Sequence, residues 1–378
     1  MPFTGKATYS AGATLPEIAE DVSDVVGVLS PTETPLLDAL GDPARAARST
    51  VHEWLEDQPA AVSDAVTGVD GSTLAVETPS LFRAGDQVRV RGTGEVLLVQ
   101  AVDTDAGAVT VARSYGGSEL GDLGEGDVLQ VLGNAPTEGA DADPARFTVR
   151  ARRTNYTQIF AATVEVSGSE LAVRQLGVRD ELDWQKAMRL RELLRDLEAC
   201  VINGRAPTVD PQGSASVRRT MRGIVGHIQT HTFRPGVSGF PAGAALTEPQ
   251  LNAALRAIWE GGGSPDLIVV GGREKRAINQ FVAANRRYYN ANESYKDMLS
   301  VYESDFGVCR VLLSRHVPQG SVLLLDSRRI EVMPLAGRSF GYKPLARTGD
   351  REAGQLVGEY TLEFRNEAAH GLISGLTA

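Results

Sequence analysis

From about residue 60 to residue 139 the chain is written in short apolar–polar alternations separated by turn residues. Thr73-Leu74-Ala75-Val76, Gln87-Val88-Arg89-Val90, 96–102, 108–112 and 128–132 place side chains on alternate faces, the two-residue period of a half-buried strand. Asp70-Gly71 and Ala106-Gly107 stand between strands as turn signals. One phrase nearly recurs: Ala84-Gly85-Asp86-Gln87-Val88-Arg89-Val90 returns as Glu125-Gly126-Asp127-Val128-Leu129-Gln130-Val131. A Gly-Asp turn feeding a strand twice suits a small barrel or sandwich, and two copies are too few for a solenoid. The segment is bounded by Gln58-Pro59-Ala60 and by a Gly/Ala/Asp/Pro linker over 134–144. It reads as a separate β domain.

Charge marks the same boundary. Residues 56–146 carry 16 Asp/Glu and five Arg, a net −11, whereas the whole chain of 378 residues is −10. Residues 1–55 contribute −5, which leaves +6 over 147–378. An acidic module is set into a mildly basic frame, and a dedicated nucleic-acid binder is not expected at this balance. Hydrophobic residues at 42% and charged residues at 23% exclude disorder as the main state. Two cysteines, Cys200 and Cys309, exclude a disulfide-rich scaffold or a multi-cysteine zinc site. The longest apolar runs, such as Val322-Leu323-Leu324-Leu325, are far short of a membrane helix, and the first residues carry no secretory h-region. A product of a reducing cytoplasm is the expectation.

The flanks have a different character. Residues 1–23 mix Gly, Thr, Ser and Ala and read as an extended arm. Pro31 ends any helix before it; Thr34 then caps a helix with Pro35 at its first position, Leu36, Leu37 and Leu40 as its apolar side, and Gly41 as its stop. After an extended stretch over 147–166, the longest helix is expected over 171–203, with Leu190, Leu193, Leu194, Leu197 and Val201 on one face. Glu192, Arg195, Asp196 and Glu198 are expected on the opposite, solvated face. An α/β region follows: helices over 248–259 and 274–285, and strands over 266–270, 308–313, 322–325 and 330–333. Glu359-Tyr360-Thr361-Leu362-Glu363-Phe364 is a last strand, followed by a short tail.

Candidate chemistry is sparse. Gly337-Arg338-Ser339-Phe340-Gly341 matches the G-x-S-x-G nucleophile elbow, but Pro344 blocks the helix that motif needs after its serine. His227 and His231 have the i, i+4 spacing of a zinc pair without an intervening glutamate, and loop or surface histidines are the favoured reading. Asp266 to Lys275 has a strand–glycine–helix outline but lacks the Lys-Ser/Thr of a phosphate loop, so a plain βα turn is favoured. Arg286-Arg287-Tyr288-Tyr289 interleaves cations and aromatics as single-strand binders do, although a helix end or subunit contact explains it better. Cys200 and Cys309 read as buried spacers. No catalytic, cofactor-binding or metal-ligating residue is assigned, and no cofactor is expected.

Several phrases in order carry a resemblance: Asp21-Val22-Ser23-Asp24-Val25-Val26 with 30–37, 154–160 with 164–168, 192–198, 301–307, and 358–367 with His370-Gly371. Together they resemble the major capsid proteins of tailed double-stranded DNA bacteriophages. The resemblance implies an α+β chain of the Hong-Kong-ninety-seven-like fold. Its parts would be an N-terminal arm and anchor helix at 1–52, an E-loop at 53–165 carrying the inserted β domain of about 60–139, a peripheral domain with its spine helix at 166–209, an axial domain at 210–340, and return strands with a tail at 341–378. It implies a non-enzymatic protein that self-assembles through pentamers and hexamers into the icosahedral head shell of the virion. Expected partners are portal and scaffolding or assembly proteins and packaged double-stranded DNA, contacted without sequence specificity; no membrane is expected. Assembly would take place in the bacterial host cytoplasm. Another phage structural or decoration protein, or an uncharacterised soluble enzyme, is the alternative. Five lysines and no matching motif give no ground for the covalent cross-link found in some relatives.

Overall fold

The computed structural model describes residues 34–57, 62–139, 150–172, 181–285, 301–346 and 349–377. The expected arm, the 140–144 end of the linker and the Arg286–Tyr289 cluster therefore lie outside the described residues. The chain divides into two compact units, one of Leu55–Arg152 and one of Met1–Trp54 with Arg153–Ala378.

In chain order, α1 (Pro35–Leu40) and β1 (Val51–Glu56) precede six strands, β2 (Ser63–Asp70), β3 (Thr73–Val76), β4 (Asp86–Val90), β5 (Val96–Asp103), β6 (Ala108–Ala112) and β7 (Val128–Asn134). Next come β8 (Ala151–Tyr156), β9 (Gln158–Ser167), α2 (Gly168–Ala172), α3 (Glu181–Asn203), α4 (Ile224–His227) and β10 (Thr232–Phe233). Then follow α5 (Glu248–Glu260), β11 (Leu267–Val270), α6 (Gly272–Asn285), β12 (Val301–Ser304), β13 (Gly307–Leu313) and β14 (Val322–Leu325). The chain closes with β15 (Ile330–Pro334), β16 (Gly341–Pro344), β17 (Arg351–Phe364) and β18 (Gly371–Ile373). β1 and β8 pair as a two-stranded ribbon.

The smaller unit is a closed barrel in the order β2-β3-β6-β5-β4-β7. Alternate residues such as Leu74, Val88, Leu97, Val109 and Leu129 fill it, with Leu81 and Phe82 packed in from the β3–β4 connection. The repeated phrase becomes two antiparallel neighbours, with Val88 opposite Val131 and Val90 opposite Leu129. Each strand leaves the same turn. Gly85 and Gly126 take φ of +87° and +92°, where a side chain would be strained. The following aspartate then accepts a backbone N–H from three residues back: Asp86 Oδ2 from Arg83 at 2.7 Å, Asp127 Oδ2 from Gly124 at 2.8 Å. β2 is not expected from the sequence: Asp64 and Gly68 share the register of Val66, so the strand carries no apolar alternation, and a bulge interrupts it between Val66 and Gly68.

The larger unit holds two sheets. In the first, the 14-residue β17 pairs with β9 along one side and with β15 and β16 along the other. α3 lies on this sheet, burying Leu193, Leu197, Val201 and Ile202. Its helix is sustained by an interior free of Gly and Pro and by the i, i+3 pairs Lys186–Asp183 (2.9 Å) and Arg189–Glu192 (2.5 Å). The second sheet has the order β10-β18-β14-β11-β13-β12. Its central strands are buried on both faces: Leu267 and Val269 of β11 join the core beneath α3, while Ile268 and Val270 join the core formed with α5 and α6. Gln250 starts α5 by accepting the Thr247 N–H at 3.0 Å, the reach-back bond of a capping box.

Several expectations are corrected here. The helix expected over 171–203 is α2 and α3, with 173–180 outside the described residues. Glu198 is not on the solvated face but fully buried beside Leu197 and Val201, because partners from distant segments meet its carboxylate. The strand at 330–333 pairs with β17 rather than with the α/β sheet, so the hydrogen-bonded order assigns it to the first sheet. The last strand begins at Arg351, and what reads as a tail supplies β18, inserted between β10 and β14.

Candidate functional site

None of the sequence motifs assembles chemistry. After Ser339 the chain enters β16 instead of a helix, and the Phe340 N–H donates to the Tyr360 hydroxyl at 3.3 Å. No amide array is aimed at an oxyanion there. At Gly271-Gly272 the start of α6 is met by the protein's own carboxylate: Glu274 is buried and bonded to Arg273 Nε at 3.0 Å. The cavity there, of about 490 Å³, is thus flanked by an acid where a phosphate cradle needs only donors. Among the described residues no group of three or more His, Cys, Asp or Glu is placed to hold a metal, and no helix is long and apolar enough to cross a membrane. Cys309 is buried, with its thiol pushed up to about 11 by burial and by Asp266; half-buried Cys200 receives a contact from Gln158 Nε2 at 3.3 Å.

What the structure does build is a set of buried carboxylates tying distant segments together. Glu198 Oε2 accepts the N–H groups of Leu36 (3.1 Å) and Leu37 (3.4 Å), and its Oε1 accepts the Ser314 hydroxyl at 2.9 Å. One side chain of α3 thus fixes the first turn of α1 and the end of β13. Burial raises its pKa, and those three bonds oppose the rise. Glu359 accepts hydrogen bonds from Arg219 Nη2 (2.6 Å) and the Thr157 hydroxyl (2.6 Å) and forms an ion pair with Arg338 Nε at 2.7 Å. Glu363 is bonded to Arg45 Nη2 (3.1 Å) and His52 Nε2 (2.6 Å) and forms an ion pair with Arg365 Nε at 3.0 Å. Burial works to raise the Glu363 carboxyl, yet the bonds from His52 and Arg45 and the nearby cations hold it below the ordinary range. Asn155, fully buried, spends its amide nitrogen on the carbonyls of Arg222 (2.9 Å) and Leu362 (2.8 Å), while its oxygen accepts the N–H of Tyr156 (2.9 Å) and of Arg222 (2.8 Å). Sequence reasoning missed these joints; the signal was only an acid or amide inside an apolar period.

His227 is a further correction, whereas His231 stands in a turn as expected. His227 lies at the end of α4, packed between Trp54 (6.2 Å) and Phe364 (5.4 Å), instead of in a surface loop. Apolar surface is left elsewhere: Trp259 of α5, against Phe306 at 5.9 Å, is 57% exposed, and Val308 of β13 is 60% exposed.

The profile of the SU10 major capsid protein family matches residues 3–377. The chain belongs to that family. No curated protein sequence matches the chain. Among solved structures, the capsid chain is similar to the capsid of a native GTA particle, at 13% identity and TM-score 0.52, over 100% of both chains. It is also similar to the capsid of Cyanophage A-1(L), at 13% identity and TM-score 0.52, over 96% of this chain and 98% of that one. A structure from Gordonia phage Cozz matches at 12% identity and TM-score 0.53, over 98% and 97%. The fold is the Hong-Kong-ninety-seven-like one expected from the sequence, and the capsid chain is a non-enzymatic protein of a phage head shell.

Proposed function

We propose that within this shell β1, the barrel and β8 form the E-loop with an inserted domain, corresponding to the 53–165 segment. On this reading α3 with the β9–β15–β16–β17 sheet is the peripheral domain, and the six-stranded sheet is the axial domain. The observation that carries the insertion is the barrel's core, drawn, among the described residues, solely from residues 66–131. Such a core can be carried on two strand ends without borrowing apolar contacts from the rest of the subunit. Asp70, Asp103, Asp105, Glu119, Asp122 and Glu125 are exposed on it, and their charge favours the outer, solvated side over a DNA-lined interior. The shell would enclose double-stranded DNA, meeting phosphates through scattered Arg without reading sequence, and would assemble in the host cytoplasm with portal and scaffolding or assembly proteins.

Electron microscopy of the purified, assembled chain tests this reading. Closed shells with barrel density standing on the outer surface are expected, and binding to two unrelated duplexes at one salt concentration should be equal. Barrel density on the inner surface would contradict the outward E-loop domain. A preference between the duplexes would contradict the DNA reading.

A further inference from the structure

Four of the five histidines, His52, His227, His231 and His370, gather in the larger unit around one row of rings. The row runs His52–Trp54 (5.9 Å), Trp54–His227 (6.2 Å), His227–Phe364 (5.4 Å) and Phe364–His370 (4.1 Å). It joins β1, through His52 and Trp54, to α4 and to the end of β17. Trp54 is 7% exposed and His370 0%, with His52 and His227 half-buried, so the row runs from the rim of the core inward. The innermost imidazole, His370, is built into it as a neutral group. His370 Nδ1 accepts the Asp326 N–H at 3.1 Å, leaving Nε2 to donate to the Arg365 carbonyl at 3.3 Å. His227 Nε2 faces the Asn155 amide nitrogen at 3.4 Å, and that nitrogen is oriented by its bonds to two carbonyls. A proton added at His370 Nδ1 would set donor against donor, and one added at His227 Nε2 would face an amide nitrogen whose two hydrogens are already spent on carbonyls.

We propose that this row is a proton-operated latch on β1: neutral, it holds Trp54 against α4 and β17, and protonation of His227, backed by His370, frees β1. The charges around His227 agree with that direction and those around His370 are mixed. The guanidinium groups of Arg222 and Arg153 oppose a further positive charge on His227, while the Arg222 carbonyl and Glu367 favour it. Asp326 and Glu367 favour a charge on His370, and Arg329 opposes it. Burial is the largest influence on both and pushes each down to about 4. His231, beside Glu367 and stacked on Phe233 at 6.0 Å, is lowered by burial as well. Because folded values lie below the unfolded 6.5, the latch is fully closed above that pH and weakens as pH falls toward 4. Glu363 stays ionised through most of this window, so its bond to His52 persists and opening starts at the Trp54–His227 contact.

The test uses the full chain carrying Trp184→Phe and Trp259→Phe, which leaves Trp54 as the sole emitter. Trp54 emission and hydrogen exchange of residues 51–56, corrected for intrinsic pH dependence, are followed from about pH 8 to about pH 4 alongside far-ultraviolet circular dichroism. The latch predicts a Trp54 change and an at least tenfold loss of β1 protection between pH 6.5 and 4, with the dichroism still native, and His227→Gln moving the midpoint to lower pH. Loss of β1 protection only where the dichroism collapses, or an unmoved midpoint in His227→Gln, would overturn it. If His227→Gln does not fold, the imidazole NMR titration of His227 in the unsubstituted histidine background decides. Coincidence with β1 opening supports the latch, and a separate midpoint rejects it.

Discussion

The barrel and the two-sheet unit of one chain are held by different means. The barrel's buried ion pair joins Glu95 to Arg113, 18 residues apart, with the carboxylate also accepting the N–H groups of Ser114 (3.0 Å) and Gly121 (3.1 Å). Its core comes from a single run of residues. In the larger unit the corresponding bonds span 140 residues for Arg219–Glu359, 162 for Leu36–Glu198 and 318 for Arg45–Glu363. One region is specified by neighbours in sequence, and the other exists only when remote segments have already met.

Acid should separate the two regions most strongly. His227 and His370 each withdraw about 3 kcal/mol from the larger unit as pH falls from 6.5 to about 4. The barrel unit contains no histidine. Its Glu95, which burial would raise, is held low by Arg113 and backbone donors; its contribution is therefore present above the unfolded value of 4.5 and is lost only as pH falls through the lower folded value. Calorimetry at pH 7 and at pH 5 should show one transition falling by many degrees and the other nearly still. Equal shifts would break the comparison.

Arg113→Met should invert that pattern. It leaves the Glu95 carboxylate, with a fully buried side chain, without its cation, at a cost of about 3 kcal/mol to the barrel alone. Thermal unfolding should show only the barrel transition moving. Glu198→Ala strips a buried acceptor from the Leu36 N–H and the Ser314 hydroxyl, and should cost the larger unit about 2 kcal/mol, read as a lower denaturant midpoint with unchanged slope. The smallest effect is at the repeated turn. Asp127→Ala removes the acceptor for the Gly124 N–H and should lower barrel stability by about 1 kcal/mol; Asp86→Ala should cost more, because Asp86 is buried and its Oδ1 also accepts the Asn134 amide at 2.8 Å.

The same contrast explains what the sequence made legible. β3, β4, β5, β6 and β7 were readable because each carries an apolar alternation beside a Gly-bearing turn, even where β5 has a register shift of its own, whereas the positions in register with Val66 in β2 are Asp64 and Gly68 rather than apolar residues. α3 was readable from its leucines, yet Glu198 was misread, since nothing within a turn of the helix announces that Leu36 and Ser314 will reach its carboxylate. β18 is three residues long, too short for a period, and becomes a strand only through β14 and β10. His227 looked like a loop residue because Gly and Thr surround it; its burial comes from Trp54 and Phe364, far away in sequence. Capsid membership was legible from ordered phrases across the chain, and the family match over residues 3–377 agrees.

The account's central claim is that the barrel is a module with its own core inside a shell subunit. Replacing residues 62–135 in the full chain with a short Gly/Ser linker and recording its thermal unfolding beside the unaltered chain tests this most directly. The account predicts that one of two transitions disappears while the other keeps its midpoint within a few degrees, in a subunit that remains soluble. Loss of both transitions would show that the barrel belongs to the core of the rest and would contradict the claim.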